Sequence, residues 1–99
     1  MKTLRKQNQL TVFLTGEIDH HAVSSIRQKI DAALQEKEIT NLILDFSDVS
    51  FMDSSGIGLI MGRYRQVSLV GGKLKVINVP TPLQKIISLS GIDSLGVLK

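Results

Sequence analysis

Met52-Asp53-Ser54-Ser55-Gly56-Ile57-Gly58 joins two runs of different character. Upstream, Leu42-Ile43-Leu44-Asp45-Phe46 is almost continuously apolar, the pattern of a strand covered on both faces. Downstream, Ile57 to Val70 is amphipathic at helical spacing. An acid, two hydroxyls and a glycine therefore stand where a strand gives way to a helix. A helix start exposes unpaired N–H groups and a partial positive charge. It suits a carboxylate, a phosphate or a phosphorylated side chain. The plainer alternative is a helix cap, since Asp and Ser are favoured there.

The same alternation extends in both directions. Thr3 to Lys6 reads as a short charged edge strand, Gln7-Asn8-Gln9 as a turn, and Leu10 to Thr15 as a strand rich in β-branched and aromatic residues. Gly16-Glu17-Ile18-Asp19-His20-His21 leaves that strand. Ala22, Val23, Ile26, Ile30, Ala33 and Leu34 follow as the apolar stripe of a helix, with Asp19 or a neighbour as its cap. Ser47 to Met52 reads as a linker with Val49 and Phe51 tucked inward. The second helix is expected over about Ser55 to Val70, stopped by Gly71-Gly72. Lys73 to Val79 reads as a strand. Thr81 as N-cap and Pro82 as first helical residue open a short third helix through Leu83, Ile86, Ile87 and Leu89, which Gly91 closes. Leu95 to Leu98 is expected to add a last strand.

This order predicts an α/β fold: one domain over residues 1–99, a mostly parallel sheet with an antiparallel N-terminal edge strand, and helices packed against it. The loops Gly16–His21 and Asp53–Gly58 both follow strands and precede helices. They belong at the carboxyl edge of the sheet, where such folds place their sites. They touch if their strands are neighbours.

Composition narrows the function classes. Ninety-nine residues with 42% apolar and 4% aromatic content give a single aliphatic core. The chain has no cysteine, which excludes disulfides and thiolate metal sites. The first residues lack a signal-peptide apolar core, and no run reaches the ~18 apolar residues of a membrane span. A cytoplasmic protein without a membrane partner is expected. The net charge is +3, but the basic residues are scattered, so no nucleic-acid partner is expected.

At about 100° per residue, Ile57, Ile60, Met61, Tyr64, Val67 and Ser68 cluster on one side of the second helix. That predicts the buried face. Ser55, Gly58, Leu59, Gly62 and Gln66 stand opposite, as an outer face. Two glycines inside a helix cost about 1 kcal/mol each against alanine. Close approach of another backbone would compensate, and an outside partner over Gly58, Leu59 and Gly62 fits that better than a neighbour within the domain.

Catalytic chemistry is poorly served. Glu17, Asp19, His20 and His21 are adjacent, point in different directions and have no further histidine elsewhere, so no metal site is expected. Ser55 lies in no Gly-x-Ser-x-Gly elbow and has no evident triad. Gly56-Ile57-Gly58 lacks the rest of a phosphate-loop pattern. No cofactor is implied. The residues alone reach a small α/β domain with a hydroxyl-bearing loop at the sheet edge.

Phe51-Met-Asp-Ser-Ser-Gly-Ile-Gly-Leu-Ile-Met-Gly-Arg-Tyr64, preceded in register by Gly16-Glu-Ile-Asp-His-His21, resembles the anti-sigma factor antagonists. These are STAS-domain proteins of the sporulation stage II AA type. The likeness extends over Gly71-Gly72 and Leu89-Ser-Gly-Ile92, and so covers nearly the whole chain. It implies a regulator and not an enzyme. Such a protein binds an anti-sigma factor that is also a serine kinase of the GHKL ATPase type, loaded with ADP or ATP, and so releases the sigma factor. Phosphorylation of the second motif serine, here Ser55, inactivates it, and a PP2C-type phosphatase restores it. The resemblance places Glu17, Asp19, His20, Asp53, Ser54, Gly56, Ile57, Gly58, Leu59 and Gly62 at the partner surface. Helix geometry agrees that Ser55 faces outward, and it leaves Ser54 to cap the first turn. The family usually continues into a further helix, whereas this sequence ends at Lys99. Two other readings compete. One is a STAS subunit of another partner-switching, stress-signalling or lipid-transport complex. The other is a small hydrolase that uses Ser55.

Overall fold

A computed structural model describes residues 1–36 and 38–98. Four strands, β1 (Lys2–Lys6), β2 (Gln9–Ile18), β3 (Asn41–Met52) and β4 (Leu74–Ile77), lie in the order β1-β2-β3-β4. Three helices, α1 (Val23–Leu34), α2 (Ser54–Ser68) and α3 (Thr81–Leu89), follow β2, β3 and β4. Strand β1 is antiparallel to β2, and the other pairs are parallel. The expected α/β fold, with its antiparallel edge strand, is the observed one. The sheet advances in one direction, so right-handed crossovers put α1 and α2 on the same face. Leu10, Val12 and Leu14 of β2, Leu42, Leu44 and Phe46 of β3, and Leu74 and Val76 of β4 fill the space beneath them.

Three expectations about the strands change. The run Leu42 to Phe46 is not covered equally on both sides, because Ile43 stays half-buried beside Thr11 and Lys75 on the opposite face. Asp45 is buried on that face; it accepts hydrogen bonds from the Ser47 N–H at 2.8 Å and the Asn78 amide at 3.0 Å. Ser47 to Met52 is no linker but the second half of β3, paired with Thr15 to Ile18 of β2 across two register shifts. Val49 and Met52 are buried, three residues apart, so the two-residue alternation that marks a strand is interrupted by the bulge. Phe51 falls on the wrong side of that shift and is 48% exposed, not tucked in.

The buried face of α2 is also rotated. Gly56, Leu59, Ile60, Arg63 and Val67 are buried, while Ile57, Met61 and Tyr64 are half-buried at its margin and Ser68 is exposed. The face therefore lies roughly a quarter-turn from the expected one. Arg63 is the reason. Its charge reads as surface, yet it is only 8% exposed and reaches Asp31 of α1, Nε to Oδ1, at 3.3 Å. Leu59 sits beside it against the core at 3% exposure. It therefore cannot be the exposed leucine expected on a partner face.

Gly71, in the left-handed region at φ +75°, ends the turn after α2. Pro80 takes the N-cap position of α3, one residue before the expected Thr81, and Leu83 and Ile87 face the core. The last strand reduces to one parallel bridge between Leu98 and Val76. Residues Ile92–Leu95 instead form a 3-10 turn between Gly91 and Gly96, both left-handed, so Leu95 and Gly96 are not extended.

Candidate functional site

Strands β2 and β3 are neighbours and end at the same edge, so the two polar loops meet there. Asp53 joins them. It is the first residue past β3, with extended backbone at φ −108° and ψ −168°, and its Oδ1 accepts the Ser55 N–H at 2.8 Å. Its Oδ2 accepts the His20 N–H from the other loop at 3.2 Å, and its own N–H donates to the Ile18 carbonyl at 3.3 Å. The Ser55 N–H, with smaller help from the Ser55 hydroxyl and the His20 N–H and ring, holds the Asp53 carboxyl below its usual range despite partial desolvation. Asp53 is thus ionised at neutral pH and caps α2.

Asp53, not Ser54, is therefore the cap, which corrects the sequence reading. Both residue types cap well, and the extension of β3 to Met52 decides between them by fixing where the helix begins. Ser54 is exposed. Chemical denaturation should accordingly show Ser54→Ala within about 0.5 kcal/mol of the parent. Asp53→Ala should lose about 0.5–2 kcal/mol, as for other lost N-caps. Equal losses for the two variants would contradict the observed cap.

Asp19 organises the second loop. Its Oδ1 accepts N–H groups of His21 at 3.0 Å and Ala22 at 2.9 Å, and its carbonyl accepts the Val23 N–H at 2.9 Å. It caps the turn that leads into α1, although Ala22 holds the formal N-cap position. His20 is exposed, with Nδ1 3.8 Å from Asp53 Oδ2 and its ring 3.9 Å from that of His21. Glu17 is exposed on the bulged end of β2, opposite Phe51. The loop that begins the site is shorter than expected, since Gly16 to Ile18 still belong to β2.

The α2 residues divide into two groups. Ser55, Gly58 and Gly62 line a groove of about 460 Å³ between α1 and α2, together with Val23, Ser24 and Arg27. A Cβ added at Gly58 or Gly62 would meet nothing within 4 Å beyond its own stretch of helix. Gly56 and Leu59 shape the site from below. A Cβ on Gly56 would collide with Met52 Cγ at 2.3 Å, and Leu59 is buried. Ile57 is half-buried against the core. Arg27 and Arg65 also line the groove, and sequence reading did not bring them to the site. Only the packing of α1 beside α2 does so. Among the described residues neither histidine hydrogen-bonds Ser55, and no group of three His, Cys, Asp or Glu is placed to hold a metal ion.

The STAS domain family matches residues 1–98. The anti-sigma F factor antagonist of Lysinibacillus sphaericus is 41% identical over 83 residues, 84% of this chain and 71% of that protein. That of Paenibacillus polymyxa is 37% identical over the same shares. The chain belongs to the STAS-domain anti-sigma factor antagonists. The anti-sigma factor antagonist SpoIIAA in its unphosphorylated form superposes with a TM-score of 0.86 at 34% identity, covering 99% of this chain and 84% of that one. Its phosphorylated form gives 0.77 at the same identity, covering 87% of that chain. A domain of this fold also occurs within the murine anion transporter Slc26a9, at 23% identity over 14% of that chain, a likeness of fold alone. No helix among the described residues is long and apolar enough to cross a membrane.

Proposed function

We propose that the unphosphorylated chain binds an anti-sigma factor, itself a serine kinase of the GHKL ATPase type loaded with ADP or ATP, and so frees the sigma factor in the cytoplasm. Ser55 is the residue the kinase modifies, and a PP2C-type phosphatase reverses the change. The observation that carries this reading is the position of Ser55. It lies in the first turn of α2, beside the Asp19 turn, at the head of a groove that Gly58 and Gly62 leave open. A phosphate there adds about −1.5 to −2 charges and three acceptor oxygens. The helix start tolerates the charge locally, so the domain need not refold. A docked partner would meet the same charge beside Asp19 and Asp53. The switch is then local masking of a docking face.

Incubation with the kinase and ATP, followed by phosphopeptide mass spectrometry, tests the assignment. Modification is expected at Ser55 in the parent and in Ser54→Ala, and is expected to be absent in Ser55→Ala, which should still bind. Phosphate on Ser54, or persisting in Ser55→Ala, overturns it. Capture from a cell extract with ADP or ATP separates this reading from a subunit of another STAS complex. A GHKL-type kinase supports it, and recovery of transporter subunits alone removes it.

Two side chains should report the docking face directly. Gly62→Leu projects into open space, so its circular dichroism and melting should match the parent while binding weakens about tenfold, or 1.4 kcal/mol. Unfolding of this variant would place Gly62 inside the domain. Asp19 is half-buried and has only one carboxylate oxygen engaged by its own loop, which leaves the other for a basic group of the kinase. Asp19→Asn should cost about 2 kcal/mol of binding by calorimetry. Unchanged affinity would return Asp19 to its turn-capping role alone.

A further inference from the structure

The groove between α1 and α2 is electrically unlike the loop end of the site. Three arginines line it, Arg27, Arg63 and Arg65, and among the described residues no Asp or Glu does. Asp31 of α1, which does not line the groove, engages Arg63 Nε through Oδ1 at 3.3 Å. That contact is incomplete: with its side chain only 10% exposed, Arg63 makes no hydrogen bond through Nε or Nη1. Burial lowers the Arg63 pKa; Asp31 opposes this, and the nearby Arg27 charge adds to it. Arg27 and Arg63 are therefore close enough to repel, and Asp31 is the carboxylate paired with Arg63. Such a cluster is stabilised by a further anion.

We infer that this groove receives a carboxylate side chain of the anti-sigma factor, held by Arg27 and Arg65 over Gly58 and Gly62, with Arg63 behind them. The inference rests on the proposed function and specifies how the partner sits. Val23 and Met61, both half-buried, lie beside the arginines along the groove. An open groove with apolar stretches suits an acid on an aliphatic stem, such as a glutamate, better than a free inorganic ion, which needs enclosure by donors. The bare backbone at Gly58 and Gly62 lets that stem lie close. The docking face is consequently two-signed. It is acidic at Asp19 and Asp53, and basic from Arg27 onward. Seven helical steps of about 1.5 Å take Ser55 to Gly62, about 10 Å. A partner must present a basic group at the loop end and an acidic one roughly that far along α2, which fixes its direction on the helix.

Calorimetric titration of the ADP-loaded anti-sigma factor with Arg27→Glu and Arg65→Glu tests this. Both arginines are exposed, so the fold should be unchanged by circular dichroism. Each reversal is expected to weaken binding about 10- to 100-fold. Lys29→Glu makes the same change of net charge on α1 outside the groove, and should weaken binding less than about threefold. Among surface Asp and Glu to Lys variants of the anti-sigma factor, one should restore binding to Arg65→Glu while weakening it to the parent. If both groove reversals bind like the parent while phospho-Ser55 does not bind, the groove inference fails and the proposed function stands. If Lys29→Glu weakens binding as much as they do, the effect is one of net charge and the groove inference fails. Displacement of the anti-sigma factor by inorganic phosphate, beyond that by chloride of equal ionic strength, would assign the groove to a free anion and overturn it. No binding by the parent chain would overturn both readings.

Discussion

Phosphate on Ser55 is expected to lower affinity for the anti-sigma factor at least about 100-fold, with almost no change in far-ultraviolet circular dichroism. The size follows from placing about two negative charges next to Asp53, whose other oxygen holds the loop of Asp19, at the proposed docking face, where like charges cost several kcal/mol. The absence of refolding follows from where the charge falls. Ser55 already points its N–H at Asp53, and the first turn of α2 favours a negative group. Ser55→Asp should reproduce the sign but less of the size, having half the charge and little of the bulk. Calorimetry on the phosphorylated and unphosphorylated chain, with the two spectra overlaid, checks both halves. Lost binding with a changed spectrum would mean that the switch works by rearranging the domain. Retained binding would remove Ser55 from the interface.

Gly72→Ala should be the most damaging single methyl group in the chain. A Cβ there would stand 1.7 Å from the Thr40 carbonyl oxygen and 2.6 Å from its carbon. Both are backbone atoms, held just before β3, where the Thr40 and Asn41 N–H groups donate to the Asn8 carbonyl. Neither can swing aside as a side chain would. Overpacking typically costs 1–3 kcal/mol, so a loss of about 3 kcal/mol or more is expected from urea unfolding. The preceding Gly71 makes an informative contrast. Its Cβ would meet nothing, and only its left-handed φ penalises alanine, by about 1–2 kcal/mol. Similar losses for the two would mean that the approach of Gly72 to Thr40 does not govern this corner.

The alternation of strands and helices was readable because each element carries its own period. Leu10, Val12 and Leu14 alternate, and the spacing through Ile30 and Leu34 is helical. What escaped depends on partners distant in sequence. The second half of β3 is a strand only because the bulged end of β2 lies beside it, and a bulge erases the alternation that would reveal it. The face of α2 was misplaced because Arg63 finds Asp31 on another helix, so a charge is buried where a pattern counts it as exposed. At the site, the hydroxyl-bearing strand-to-helix turn and the outward Gly58 and Gly62 were legible from local chemistry. A partner-facing Asp19 and a switch at Ser55 were implied only by the family resemblance. Arg27 and Arg65 were not legible, since only the packing of α1 against α2 brings them to one groove. Leu59 shows the converse error, an apolar residue assigned outward by a period centred on the wrong side.

Asp53 fastens two crossovers with one carboxylate, an oxygen to each. The heptapeptide Met52–Gly58 is for that reason not a portable module. Transplanted onto a helix of a foreign α/β scaffold, it would carry over the hydroxyl and its cap, and leave the acidic turn behind. A chimera that keeps recognition would have to move both crossovers as a pair, together with the adjacency of the strands that deliver them.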